Sequence, residues 1–400
     1  MPWKECSKMD EKVKFVARLI DGEKMAPLCR EFNISRKTGY QIWERYLRFG
    51  QEAFIEQKRT PYRYANKLPY QIEFLILELK KEYPHWGAPK IREKILRKHP
   101  DVKVPAISTI HAVLDRHGLV KSELRRKRYK AEGTPLIHVN NPNDLWCADY
   151  KGEFMTGDQR YCYPLTITDY ASRFLLSCEA LSSTKEDYAF SVFTRVFKEY
   201  GLPQAIRTDN GIPFASGNSL YGLTKLSVWW LRLGIGIERI RPGNPQENGR
   251  HERMHLTLKK EPTRPPGENQ IQQQEKFDDF IRVFNFERPH QGLQMKLQMK
   301  YPSEIYKASE RQYKGIEPVF YPFHDKTIQV TQCGRICERN WKVNLSRAFA
   351  GQQVGIKEVE DGIWVVSFLD YDLGYFDEAG KRVEPVEDPF QIKVLPMSPE

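Results

Sequence analysis

The sequence predicts a multidomain chain: an all-α N-terminal third of helix-turn-helix type, a central α/β part, and a small all-β C-terminal part. Three observations predict it. Apolar residues recur at helical spacing up to about residue 120. From about residue 135 short strand-like runs alternate with helical ones. Beyond about Val319 only alternating strand-like runs remain, with Glu360-Asp361-Gly362 as a hairpin turn. A length of 400 residues suits two to four domains.

Charge divides the chain in the same way. Residues 1–130 hold 30 Lys and Arg against 16 Asp and Glu, a net +14, while the remainder nets −3. A basic excess confined to one third reads as nucleic-acid contact, since a generally solvated Lys-rich surface would not concentrate it. At 40% hydrophobic and 29% charged, the composition is that of an ordinary soluble globular protein. No run approaches transmembrane length and the N-terminus has no apolar signal region, so a cytoplasmic, nucleoid-associated protein with no membrane partner is expected. Seven scattered cysteines without a Cys-x-x-Cys pair fit a reducing compartment, and Cys333 and Cys337 lack the partners of a zinc site.

The first module, residues 1–58, should hold three helices: Met9–Ile20, Met25–Phe32 and Arg36–Phe49, the last capped by Ser35. Tyr40, Trp43 and Leu47 form the expected buried stripe of the third helix. Arg36, Lys37, Gln41 and Arg45 then face outward, as on a recognition helix in a DNA major groove. A polar, Pro-containing linker leads to a second module of helix-turn-helix type, residues 67–120, with helices over 68–83, 89–98 and 109–117. Ser108 is the expected cap of the last, and Gly118 its terminator. A basic linker, residues 121–134, follows. Arg125, Arg126, Lys127 and Arg128 make it an arm suited to DNA phosphates.

In the central part, residues 135–312, three strands are expected over 145–154, 160–168 and 174–180. A helix over 185–200, a strand ending at Asp209, a helix near 225–233, a short strand over 236–240 and a closing helix over 273–286 follow. Between the last two lies Asn244-Pro245-Gln246-Glu247-Asn248-Gly249-Arg250-His251-Glu252. It reads as a helix start with Asn244 as cap, Pro245 as first residue and Glu247 at the position that reaches back to the cap. Glu252 has no such capping role. Its face continues through His255, Leu256 and Lys259, a carboxylate and a lysine on one stripe, which suits a metal beside a phosphate backbone. Two more carboxylates sit in or at the end of strand-like runs: Asp149 in Trp146-Cys147-Ala148-Asp149-Tyr150, and Asp209 in Thr208-Asp209-Asn210-Gly211. Asp169 competes, but it suits a turn between strands.

The order Trp-x-x-Asp-Tyr, Thr-Asp-Asn-Gly and Asn-Pro-Gln-x-x-Gly-x-x-Glu resembles the Asp-Asp-Glu core of retroviral integrases and bacterial insertion-sequence transposases. Asn285-x-x-Arg288-Pro289-His290-Gln291-Gly292-Leu293 and Pro302-Ser303-Glu304-Ile305-Tyr306 extend the resemblance through the end of that core. The resemblance implies a ribonuclease-H-like fold for the central part and an SH3-like β-barrel for residues 318–385. It implies Asp149, Asp209 and Glu252 as catalytic metal ligands, with Lys259 as a DNA contact. The 42 residues between Asp209 and Glu252 exceed the usual retroviral spacing, and the loop-like 215–222 is the expected insertion.

Hard oxygen ligands suit Mg²⁺, with Mn²⁺ as an expected substitute, and two such ions would support in-line phosphoryl transfer. The implied function is a transposase. It binds the terminal inverted repeats of a mobile element, cuts at the element ends and joins the 3′-hydroxyls to target DNA, as a homo-oligomer on double-stranded DNA. The rivals are a DNA-binding regulator with an inactive core, and a metal-dependent nuclease that does not join strands.

Overall fold

The computed structural model describes residues 8–55, 68–120, 139–217, 219–240, 245–295, 298–338, 341–377 and 383–386. The basic arm with Arg125, Arg126, Lys127 and Arg128 lies outside the described residues, as does the expected cap Asn244. The chain divides into two compact units, residues 1–69 and 70–400.

The first unit holds helices α1 (Lys8–Ile20), α2 (Met25–Glu31) and α3 (Arg36–Phe49). Ser35 caps α3, its hydroxyl accepting the Thr38 N–H at 3.0 Å. The expected buried stripe of α3 is displaced: Tyr40 and Leu47 are 54% and 65% exposed. Gly39 is the buried residue instead, and Ile42, Trp43 and Tyr46 pack on the core of Phe15, Val16, Leu28, Cys29 and Phe54. The cause is Gly39 itself. A Cβ there would lie 2.5 Å from the Cys29 Sγ, so the absence of a side chain lets α3 approach α2 and fixes which face turns inward.

The second unit begins with α4 (Tyr70–Glu82), α5 (Ala88–Lys98) and α6 (Ile107–Arg116). Ser108 lies inside the first turn of α6 rather than capping it, because the helix starts two residues earlier, at Ile107 after Ala106. Gly118, at φ 67°, does end that helix.

The central sheet contains β1 (Leu145–Tyr150), β2 (Phe154–Met155), β3 (Tyr161–Asp169), β4 (Leu175–Leu181), β5 (Ala205–Thr208) and β6 (Gly236–Arg239). The single strand expected over 145–154 is two, interrupted around Gly152 with its φ of 85°. β3 lies antiparallel between β1 and β4, and β1, β5 and β6 run parallel. Helices α7 (Glu186–Tyr200) and α8 (Lys225–Arg232) bury Phe193, Phe197, Trp229 and Trp230 against this sheet. Met254 and Leu258 of α9 (Gly249–Lys260), and Phe277, Phe280 and Phe284 of α10 (Gln270–Phe286), form a separate cluster with Leu175 and Cys178 of β4. A hairpin of β7 (His290–Met295) and β8 (Gln298–Lys300) follows.

The C-terminal part holds β9 (Lys326–Gln329), β10 (Arg335–Glu338), β11 (Trp341–Asn344), β12 (Gln353–Glu360), β13 (Ile363–Phe368), β14 (Tyr371–Asp377) and β15 (Glu384–Pro385). Backbone pairing gives an open sheet in the order β15-β14-β13-β12-β9, with β10 and β11 as a separate hairpin. Pairing among the described residues closes no barrel. The expected turn is present, with Gly362 at φ 76° between β12 and β13. The inserted segment 215–222 has a structural partner here. The Tyr221 hydroxyl donates to the Leu373 carbonyl at 2.6 Å, and Leu223, Val228 and Leu231 share one apolar cluster with Val354, Val366 and Phe368.

Candidate active site

Two parallel strands in register place the first two carboxylates. Leu145, Trp146 and Cys147 of β1 lie opposite Ala205, Ile206 and Arg207 of β5. Continued by two residues, that register brings Asp209 level with Asp149. Neighbouring strands lie about 4.8 Å apart, so these carboxylates share one edge of the sheet. Asp209 sits just past β5, where its Oδ1 accepts the Gly211 N–H at 3.2 Å. Beneath it Arg207 and Glu238 form a buried ion pair at 2.6 Å, each 1% exposed. Arg207 also donates to the Glu247 carbonyl at 2.9 Å, tying β5 to the 3-10 turn Pro245–Asn248 ahead of α9.

The α-helix therefore starts at Gly249 rather than at Pro245, and Glu252 falls in its first turn. Glu252 is exposed, as are Leu256 and Lys259, whereas His251, Met254, His255 and Leu258 turn inward. His251 and His255, one turn apart, fasten α9 to β3. The Thr166 hydroxyl lies 2.8 Å from Nε2 of both, and the Thr168 hydroxyl 2.8 Å from the His251 Nδ1.

Thr166 has one proton, and it donates that proton to the Asp149 carbonyl at 3.0 Å. Both imidazoles must then donate to Thr166 through Nε2. His251 accepts from Thr168 at Nδ1, so both its ring nitrogens are occupied. His255 keeps a bare Nδ1, which faces the Asp149 Oδ2 at 3.8 Å. Two acceptors facing each other favour a cation between them. Burial holds both rings neutral: the pKa of His251 falls to about 3, and that of His255 to about 2 through burial, then His251 and Lys151.

Asp149 answers to the same surroundings. Burial pushes its carboxyl up to about 7, Asp209 adds to the rise, and Glu252 contributes more weakly. The charges of all three predicted carboxylates therefore reach this candidate site. They are not its tightest cluster. Among the described residues, the ligand atoms gathered within 4.8 Å of one another are those of Asp149, His251 and His255. Like-charged carboxylates repel and close up only around a cation, whereas the histidines are drawn in by hydrogen bonds to β3. Lys151, beside Asp149, is half-buried and its pKa is lowered by burial and then by Lys259, which places the predicted lysine at the same edge. Asp169 is occupied elsewhere, accepting from the Asn143 N–H and from the N–H and hydroxyl of Ser172.

Arg36, Lys37, Gln41 and Arg45 lie exposed on α3, and the Arg45 guanidinium reaches the Ile55 carbonyl at 3.5 Å. In the second module, two basic residues of α5 are paired with acidic residues of the central part. Lys94 pairs with Glu287 at 2.9 Å, and Arg97 pairs with Glu304 at 2.8 Å and lies over the Tyr301 ring.

Residues 139–245 and 233–297 match the integrase core domain, and residues 11–62 match a helix-turn-helix domain. An uncharacterized 39.2 kDa protein of insertion element IS476 from Xanthomonas euvesicatoria is 23% identical over 217 residues, which span 54% of this chain and 60% of that protein. The Gag-Pol polyprotein of baboon endogenous virus is 25% identical over 192 residues, 48% of this chain and 10% of the polyprotein. Of solved structures, a chain of a simian T-cell lymphotropic virus intasome in complex with the PP2A regulatory subunit B56 gamma is 17% identical. That match covers 74% of this chain and 97% of the other, with a TM-score of 0.35.

Proposed function

We propose that this chain, a bacterial insertion-sequence transposase by its integrase core and helix-turn-helix domains, cuts DNA at the ends of its own element and joins them to target DNA. The observation that carries this reading is Asp149: a half-buried strand carboxylate that lies against the bare Nδ1 of His255 and whose pKa is raised to about 7 by burial, then by Asp209 and Glu252. Such a site favours positive charge, and a divalent cation meets that need at the edge where a phosphate would lie.

Asp149, Asp209 and Glu252 would hold the ion, with oxygen donors suited to Mg²⁺. The bare Nδ1 of His255 adds a nitrogen that Mn²⁺ accommodates. When bound, the ion would activate the attacking oxygen and offset charge on the phosphate. Lys151 and Lys259 present cations to the same phosphate. Thr166 and His251 hold α9 on β3, so that Glu252 keeps its place relative to Asp149.

Water attacks the phosphorus at the element end first, and the bond to the element's 3′-oxygen breaks. The freed 3′-hydroxyl then attacks a target phosphate, forming the new phosphodiester and releasing a target 3′-hydroxyl. No protein nucleophile is required. Arg36, Lys37, Gln41 and Arg45 read the terminal repeats, the arm with Arg125, Arg126, Lys127 and Arg128 follows the backbone, and the C-terminal sheets contact DNA or a second subunit. Joining two ends at one target calls for at least two active sites, hence a homo-oligomer with two-fold symmetry, working at the nucleoid.

The test is metal-dependent strand transfer from labelled element-end DNA into a plasmid. Glu252→Gln should abolish joined product while Glu247→Gln retains it. Wild-type joining by Glu252→Gln would remove the assignment.

A further inference from the structure

On the far side of His251 and Thr168 from Asp149, a cavity of about 220 Å³ opens between α5, β3, α9 and the β7 strand, with both residues in its lining. Five cations line it: Lys90, Arg173, Arg250, Arg253 and Arg288, with His290 among them. One carboxylate, Asp169, shares the lining, and both its oxygens already accept hydrogen bonds from Asn143 and Ser172. Arg288 is balanced by Glu261 at 2.6 Å. Arg250 donates to the Tyr170 carbonyl at 2.9 Å and lies over the Tyr170 ring. Lys90, Arg173 and Arg253 form no ion pair among the described residues.

Arg173 carries the strongest sign of a missing partner. Its Nε is buried without a hydrogen bond, as is the His290 Nε2. The guanidinium lies so close to Gly292 that a Cβ there would overlap it, so the backbone has made room for it. The cluster is held at a cost. Lys90 is pushed down to about 7 by burial and then by Arg288, and Arg173 is lowered by burial and then by Arg250 and Arg253. Like charges confined in a half-buried cavity repel, and an anion relieves that repulsion. Forked guanidinium groups match the oxygens of a phosphate, whereas a spherical halide would use only their charge.

We propose that this cavity is a binding site for a phosphate-type oxyanion, held chiefly by Arg173, Lys90 and Arg253. The cations named for this role come from three parts of the fold. Lys90 belongs to α5, Arg173 to the turn before β4, and Arg250 and Arg253 flank Glu252 on α9. An oxyanion there links the second helical module to the helix that carries Glu252. Asp149, Asp209 and Glu252 are not among its lining residues, but Thr168 and His251 are shared with the candidate active site, so the phosphate titration is read without DNA first and only its last arm rests on the strand-transfer reading.

The test is thermal unfolding of the full chain titrated with inorganic phosphate, at an ionic strength held constant with sodium chloride. A saturable rise in Tm with phosphate is expected. The Lys90→Gln/Arg173→Gln double variant should weaken phosphate binding about tenfold or more. Arg253→Gln, on the exposed rim, should weaken it without disturbing packing, which keeps the test open if the double variant does not fold. Repeating the titration on the protein saturated with element-end duplex separates the sources. If the increment is lost, a DNA phosphate occupies the site; if it persists, a free phosphate does. Absence of a saturable shift at matched ionic strength, or an unchanged shift in Arg253→Gln, would overturn the site.

Discussion

Thr166 connects three groups of the candidate site through one oxygen, the Asp149 carbonyl and the rings of His251 and His255, while Thr168 holds the other nitrogen of His251. Thr166→Val keeps the shape and removes the hydroxyl, leaving buried donors and an acceptor unmatched. Denaturant unfolding should show a loss of about 2–3 kcal/mol. Strand transfer should fall by about 10- to 100-fold, as when the groups that orient a metal site are lost. His290 sets a pH dependence. Burial, then Lys90, Arg288 and Arg173, lowers its pKa to about 3, so the folded ring stays neutral while the unfolded ring binds a proton below about 6.5. Its contribution to stability is complete above pH 6.5 and is lost as pH falls toward 3, by about 1.4 kcal/mol per pH unit. In His290→Gln the slope of stability against pH between 6 and 4 should be shallower by that amount; an unchanged slope would place the proton elsewhere. The elements that carry the three carboxylates were legible in the sequence, because Asp149 and Asp209 stand near the ends of short apolar runs and Glu252 follows a helix-start signal. His251 and His255 were not, although their one-turn spacing was visible. Their meaning depends on two threonines of β3, more than 80 positions away, and no local pattern carries that pairing.

Among the elements, α3 shows how one residue rotates a helix. Periodicity placed its inward face on Tyr40, Trp43 and Leu47, but the face turns to Gly39, Ile42, Trp43 and Tyr46 because Gly39 permits contact with α2. Gly39→Ala tests this. The gain in helix propensity, about 0.5–1 kcal/mol, should be outweighed by crowding against Cys29 Sγ at 2.5 Å and Met25 Sδ at 2.9 Å. A net destabilisation of about 1–2 kcal/mol is expected, and stabilisation would show that α2 and α3 have room to separate. Arg36, Lys37, Gln41 and Arg45 all remain exposed; the last three lie about 120–160° round the helix from Gly39, whereas Arg36, about 60° away, sits at the open first residue of the helix. Lys37→Ala should therefore weaken binding to element-end duplex and, if Lys37 meets a phosphate, lower the slope of log affinity against log salt by about 1. An unchanged slope and affinity would remove it from the interface. Helix α9 began later than its Pro and capping residues suggested. Arg207 holds the preceding turn through the Glu247 carbonyl, a contact made across 40 residues of sequence.

At the scale of the molecule, the second helical module and the C-terminal part are both tied to the core. Lys94 and Arg97 pair with Glu287 and Glu304, and the 215–222 insertion reaches the C-terminal sheet through Tyr221. These pairings were not legible in the sequence, since the acidic partners lie some 200 positions away. The C-terminal strands were readable where alternation was regular, as in β12 and β13. The short β10–β11 hairpin was missed, and the way the sheets close depends on edges rather than on any one strand. Light scattering on paired element-end DNA should find a dimer or larger, and one fully active chain on two ends would contradict the need for two sites. The central claim is that Asp149, Asp209 and Glu252 act as one unit in metal-dependent strand transfer. Its most direct test is the joining rate of Asp149→Asn, Asp209→Asn and Glu252→Gln, singly and in pairs. Each single change should lower the rate by about a thousandfold or more, and the pairs should fall no further than the worse single. A single variant near wild-type activity, or losses that multiply in the pairs, would contradict it.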